Sequence, residues 1–341
     1  MRNTSKMTTL ENKFPLLAVE HGCIISKDAD ITVAFEVELP ELYTVTGAEY
    51  EAIHGCWCKA IKVLPYFCVV HKQDWFIKEK YMPELQKDDM SFLSRSFERH
   101  FNERPYLKHS CYLYLTKTTK ERNRMQSNFS TLCRGHIIPK ELDKETAGKF
   151  MEAAEQFERI MNDSGFVRLR RLSTDEIVGT EKSAGLIERY FSLMPEGDTT
   201  LQDIDLSAKE MRIGDKRLCL HTLSDAEDMP GKVATDIRYE KLSTDRSDCR
   251  LSFASPVGLL LSCNHIYNQY VIIDNSEENL QKFEKSARNM QSLSRYSRSN
   301  SINREWIDQY LNEAHSYGLT SVRAHFNVMA WSDDAEELKH I

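Results

Sequence analysis

No apolar run in this 341-residue chain approaches the roughly 18 to 20 residues a membrane-spanning helix requires. The longest candidate, VGLLLSC at 257–263, reads as a buried strand. The opening MRNTSKMTTLENKFPLLAVEHG has no sustained apolar core, which excludes a secretory signal. A basic excess is also missing. With 45 Lys and Arg against 52 Asp and Glu, the net charge of -7 excludes a uniformly basic nucleic-acid surface and leaves room only for a local basic patch. The nine cysteines are an odd number, mostly set in apolar or strand-like text, and read as reduced thiols of a cytoplasmic protein.

Nucleotide, dinucleotide and hydrolase signatures are lacking too. No Walker A, GxGxxG, HExxH or GxSxG occurs. Pro230-Gly231-Lys232-Val233 has the Gly-Lys pair without the upstream glycine loop or the following hydroxyl. Ala147-Gly148-Lys149-Phe150 falls inside an amphipathic helix.

What is present is a hydrophobic fraction of 41%, enough for sizeable cores, arranged with clear periods. LLAVEHGCIIS reads as a strand ahead of a KDAD turn. In ITVAFEVEL, Ile31, Val33, Phe35, Val37 and Leu39 alternate with Thr32, Ala34, Glu36 and Glu38, a half-buried strand. Thr46 and Glu49 form a capping box ahead of a helix that Pro65 ends. YFCVVHKQDWFI and CYLYLTKTT read as strands flanking a helical FLSRSFERHFNERP, and KERNRMQSNFSTLCRG has no period. Residues 145–162 give an amphipathic helix with Phe150, Ala154, Phe157 and Met161 on its stripe, and two helical pieces follow. MRIG and KRLCLHTL predict a hairpin turning at Gly214-Asp215. The last ninety residues predict LLLSC and QYVIID as strand, a helix capped by Asn275 or Ser276, a second helix stopped by Gly318, and a strand through Val322, Ala324, Phe326, Val328 and Ala330. A new helix then opens at Asp333-Asp334-Ala335-Glu336, and a chain stopping there reads as a piece of a longer protein.

The organisation expected is α+β in two lobes, each a mixed or antiparallel sheet with helices packed on one side. Residues 1–20 are a flexible lead, 21–165 the first lobe, 166–250 a helical and hairpin middle segment with a polar connection, and 251–341 the second lobe.

Candidate chemistry is sparse. His54 and Cys58 share a helical face, but Cys56 points elsewhere, so a three-ligand metal site fails. Cys263 and His265 share a strand face without a third ligand. Asp245, Asp248 and Cys249, with His265, are the residues from which an enzyme site would have to assemble, although a solvated linker explains the same letters. Arg168, Arg170 and Arg171 suit a charged strand edge. The stretch 281–305 carries Lys282, Lys285, Arg288, Arg295, Arg298 and Arg304 against Glu284 and Glu305, the one basic patch suited to a nucleic-acid backbone or acidic lipid.

A resemblance is more specific. FPLLAVEHGCIISKDADITVAF, VVHKQDWFI, SFLSRSFERHFNERP, CYLYLTKTTKER, SNFSTLCRGHIIPKE, YEKLSTDRSDCRLSFASPVG and EWIDQYLNEAHSYGLTSVRAHFNVMAWSD closely resemble the amino-terminal region of the TraG family of conjugative transposon ATPases of Bacteroides type, over essentially the whole chain. That family is related to the ATPases of type IV secretion and conjugation. The resemblance implies a non-catalytic docking, oligomerisation and regulatory region at the cytoplasmic inner-membrane face, with ATP and Mg bound only by a motor domain beyond this chain. Its partners would be channel subunits of the membrane complex, its own motor and further copies of itself. It carries over no nucleotide-site residue and no cofactor for these residues. Trp331, Asp333, Asp334, Glu336 and Glu337 would then contact the motor junction.

Overall fold

The computed structural model describes residues 14–41, 45–81, 91–118, 144–193, 202–207, 210–223, 237–251, 255–293 and 296–340. KERNRMQSNFSTLCRG, Pro230-Gly231-Lys232-Val233 and Arg295 lie outside them. The fold is α+β, built on an 11-stranded sheet with antiparallel pairing.

The first strands form a meander: β1 (Leu16–Glu20), β2 (Cys23–Ser26) and β3 (Ile31–Glu38). LLAVEHGCIIS is thus a hairpin rather than one strand. His21 and Gly22 both take positive φ, 53° and 69°, and turn the chain back on itself. The capping box of Thr46 and Glu49 opens α1 (Gly47–Lys62) as its residues dictate. Two long strands follow, β4 (Cys68–Lys80) and β5 (Pro105–Lys117), joined across their Lys80/Pro105 end by a segment containing α2 (Phe92–Asn102). Beyond α3 (Lys144–Asp163), β6 (Arg168–Arg171) adds to the free edge of β3. Then come α4 (Thr174–Val178), the two-residue strands β7 (Gly179–Thr180) and β8 (Ser183–Ala184), and α5 (Leu186–Ser192).

The middle segment supplies β9 (Ile204–Leu206), β10 (Met211–Ile213) and β11 (Lys216–Thr222), with the expected turn at Gly214-Asp215. RYEKLSTDRSDC closes on itself through β12 (Ile237–Arg238) and β13 (Arg250–Leu251). VGLLLSC is not a strand. Its start belongs to α6 (Ser255–Leu259), and Leu259 and Leu260 are exposed, so apolar content there does not mean burial. β14 (Asn264–Ile273) and β15 (Val322–Ser332) enclose α7 (Ser276–Leu293) and α8 (Arg298–Tyr317), and α9 (Ala335–Lys339) follows.

Strand order is β1-β2-β3-β5-β4-β14-β15-β11-β10-β9. The two sheets expected from sequence are therefore halves of one, joined where β14 pairs with β4 from His265↔Phe76 to Ile272↔Val69. Helices cover both faces, not one. On the first face, α1 and α3 press Phe150, Phe157 and Met161 onto Val33, Phe35, Leu113 and Leu115, and Trp57 meets Phe157 edge-on at 6.3 Å. On the second, α4 and α5 bring Ile177, Leu186 and Leu193 onto Trp75, Tyr112, Tyr114 and Ile266. A sheet whose central strands are buried on both sides resists bending, because every strand is held by neighbours and by side chains above and below.

Candidate functional site

Period-two alternation sends Lys72, Asp74 and Phe76 of β4 to the first face. His109 and Cys111 of β5 and His265, Tyr267 and Gln269 of β14 join them there by register. All of these except His265, with Tyr50 and Ile53 of α1 and Gly258 of α6, line a cavity of about 1000 Å³. Gly258 is required there: a Cβ would lie 2.6 Å from the Tyr267 ring.

Asp74 is the charged centre. It is 4% exposed, ion-paired with Lys72, and accepts from His109 Nε2 at 2.8 Å. Burial alone would raise its carboxyl. The Lys72 ammonium and the hydrogen bonds from His109 and Lys72 outweigh that and bring it down to about 2. The Phe76 ring lies between the His109 and His265 rings at 4.7 and 4.6 Å. Burial pushes the Cys111 thiol up, and pushes that of Cys68 to about 12, so neither is a thiolate at neutral pH. The arrangement binds the Asp74 carboxylate to its own cation, and the Cys68 and Cys111 thiols are held protonated.

The opposite face holds a polar network that sequence reasoning missed. Gln73 Oε1 accepts from Trp75 Nε1 at 2.7 Å, from Tyr114 at 3.2 Å and from the Tyr190 hydroxyl. Gln73 Nε2 donates to Asn268 Oδ1 at 2.8 Å, and Asn268 Nδ2 donates to Asn327 at 2.8 Å. Asn268 Oδ1 also meets His71 Nε2 at 2.8 Å. An amide oxygen only accepts, so His71 carries its proton on Nε2. Its ring stacks on Tyr270 at 4.1 Å and Tyr114 at 5.1 Å. Burial lowers its pKa to about 4 against the opposing effects of Asn268 and Asp74. The signal for this network was the unbroken polar runs His71–Asp74 in VHKQDW and Asn268–Gln269 in YNQY, which put polar side chains on both faces of strands otherwise apolar enough to be central.

The sequence-derived candidates fare differently. His54 Nε2 and Cys58 Sγ are 3.6 Å apart, whereas Cys56 turns to Ile160 O and Met161, as the helical spacing requires. Among the described residues no group of three or more His, Cys, Asp or Glu is placed to hold a metal ion. Asp245, Asp248 and Cys249 are not brought to His265. Asp248 pairs with Arg238 and Arg250 beside the β12–β13 pair, Cys249 is buried there, and none of the three lines the cavity. His265 is instead fixed between the carbonyls of Cys263 and Gly258, at 2.8 and 2.7 Å. Arg168 and Arg170 pair with Glu38 and Glu36, as a charged edge would. Lys149 bonds Glu145 while Phe150 is in the core, which fits a helix surface and not a phosphate loop.

In the basic stretch, Arg288 pairs with Glu284, Arg304 with Asp308, and Lys282 bonds Asn279, while Lys285 and Arg298 are exposed. The neighbouring apolar stripe is less buried than its period suggests. α7 and α8 pack on each other through Phe283 and Tyr310, 5.1 Å apart edge-on, and fully bury only Ala287 and Ala314. Phe283, Leu293, Ile302 and Trp306 remain exposed, Trp306 by 66%, beside a groove of about 310 Å³. The base of this hairpin is clamped: Arg323 grips Asp274 with two bonds of 2.8 and 2.9 Å, and Ser276 Oγ accepts from Ser321 N at 3.0 Å.

Of the expected junction residues, Trp331 is 1% exposed and meets Trp75 edge-on at 6.2 Å, so it is a core residue rather than a contact. Asp333, Asp334 and Glu336 are exposed, and Asp334 caps α9 through Glu336 N at 2.9 Å. Glu337 bonds Lys78 and Ser332, tying α9 to the sheet.

No helix among the described residues is long and apolar enough to cross a membrane. In comparison with known proteins, residues 3–55 match a family model described as "Domain of unknown function, B. Theta Gene description (DUF3875)". No curated protein matches the chain.

Proposed function

We propose that this chain is the non-catalytic docking and regulatory region of a TraG-type conjugation ATPase, holding a motor domain that lies beyond it against subunits of a mating channel. The α7–α8 hairpin carries the reading. It is rooted by the Arg323–Asp274 clamp in the central pair β14–β15, yet leaves Phe283, Leu293, Ile302 and Trp306 uncovered. A contiguous exposed apolar surface on a stiff base is what a protein-docking element requires. Aromatic anchors such as Trp306 are where interface energy concentrates.

Other features support the same reading. The resemblance runs the length of the chain, and the matching family description names B. Theta, in keeping with the Bacteroides type. The cavity's one buried carboxylate is already neutralised by Lys72. In this reading ATP turnover in the motor shifts the region against the channel, and the sheet transmits that displacement because it does not bend. The test is hydrolysis. The purified chain is expected to turn over no ATP with magnesium, and a longer chain carrying a GxxxxGK[ST] loop is expected to do so. Magnesium-dependent turnover by residues 1–341 would overturn the proposal.

A further inference from the structure

The register of β4 places a second projection at the other end of the sheet. β4 begins at Cys68, next to the β14 end from which α7 emerges, and finishes at Lys80, opposite Pro105, where the segment containing α2 is inserted. At about 3.3 Å per residue, these ends are about 40 Å apart. α2 is capped by Ser91, whose Oγ accepts from Ser94 N at 3.2 Å, and none of its residues is buried.

Its side chains are segregated. At roughly 100° per residue, Phe92, Leu93, Phe97 and Phe101 fall on one half of the helix, and Arg95, Glu98 and Arg99 on the other. The apolar half is uncovered: Phe92, Leu93 and Phe97 are 78%, 77% and 61% exposed. The Phe97 and Phe101 rings lie 4.5 Å apart, tilted by 56°, and Tyr81 meets Phe101 edge-on at 6.2 Å, an aromatic ridge instead of a groove. Across 91–108, Arg95, Arg99, Arg104 and Lys108 outnumber Glu98 and Glu103, against the acid excess of the whole chain.

We infer that α2 is an in-plane amphipathic helix that seats this end of the molecule on an anionic phospholipid surface. Its apolar ridge would enter the headgroup–acyl boundary, and Arg95 and Arg104 would lie within reach of lipid phosphates, Arg99 being paired with Glu103 at 2.7 Å and Lys108 with Glu79 at 3.2 Å. A short helix with strong segregation, low net hydrophobicity, aromatic residues on one side and arginine on the other has the chemistry of an interfacial helix. The overall acidic chain makes the local sign significant: the surface most repelled by the rest of the molecule is the one this end attracts.

The experiment is co-sedimentation of the whole chain with vesicles of phosphatidylcholine alone or mixed with phosphatidylglycerol, at low and high salt. Binding is expected to the mixed vesicles and to weaken with salt. Arg95→Gln with Arg104→Gln should weaken it by about fivefold per charge removed. Phe97→Ser with Phe101→Ser should weaken it at least about tenfold. These positions are exposed, and unchanged circular dichroism of the variants verifies that they fold. Equal binding to neutral vesicles, no binding to anionic ones, or binding that either variant leaves unchanged would overturn the inference. So would a Phe97/Phe101 variant that alters self-association by light scattering with no vesicle binding by the parent, which would assign the ridge to a protein contact. Failure here leaves the α7–α8 reading standing, since no channel subunit and no ATP enter the assay.

Discussion

His71 makes a sharp prediction about acid stability. Its imidazole is sandwiched between Tyr270 and Tyr114 and donates from Nε2 to Asn268 Oδ1. Burial holds its pKa at about 4 in the folded chain, against the ordinary 6.5. The folded state therefore favours the neutral ring. The stability this confers is complete above pH 6.5 and is lost as pH falls toward 4, because the unfolded chain takes up the proton first. Carried to pH 4.5, the difference amounts to about 2 to 3 kcal/mol. The perturbation is His71→Gln, which keeps an N–H donor for Asn268 and removes the titration. Urea unfolding followed by tryptophan fluorescence at pH 7.5 and 4.5 measures it. The parent should lose about 2 to 3 kcal/mol more than the variant between those two conditions. His265, whose pKa burial also lowers against its bonds to the Cys263 and Gly258 carbonyls, is present in both proteins and cancels in the comparison. Equal acid losses in parent and variant would refute the assignment of the neutral ring to the network.

Asp74→Ala leaves the half-buried Lys72 without its carboxylate and should cost about 1 to 3 kcal/mol in urea unfolding at neutral pH, while Asp74→Ala with Lys72→Met should recover much of it. With the Asp74 carboxyl brought down to about 2, the parent keeps this contribution above pH 4 and loses it only as pH falls through the range from 3.8 to 2, below the His71 window. Trp331→Ala should cost about 3 to 5 kcal/mol in the same assay, the cost of emptying a core site. A loss under about 1 kcal/mol would return Trp331 to the junction contact that the resemblance implies.

Much of the local structure was legible because it depends on neighbours in sequence. Thr46 and Glu49 set the start of α1, Gly318 stops α8 with a φ of 56°, and Gly214 turns the β10–β11 hairpin. The union of the two halves was not legible. It rests on pairing between β4 and β14, which are nearly two hundred residues apart, and no local period encodes which edge meets which. The Gln73–Asn268 network was hidden for the same reason, since each residue alone reads as a polar interruption of a strand. VGLLLSC misled because composition reports what a segment can bury, not whether a surface is there to cover it. Phe283 on α7 and Trp306 on α8 fall at apolar positions of a helical period, but their exposure depends on the absence of a third layer over that hairpin among the described residues. That exposure is the feature on which the functional reading turns.

The most direct measurement is interference with mating. The 1–341 chain is produced in donor cells carrying a conjugative transposon of the resembling type, and transfer frequency is counted against a matched Ile302→Ser, Trp306→Ser chain of equal abundance. On the proposed docking role, an excess of this chain should lower transfer at least about tenfold, and the variant, having lost an aromatic anchor worth about 2 kcal/mol or more, should restore it. Transfer unaffected by the parent chain, or lowered equally by both, would contradict docking through the α7–α8 surface.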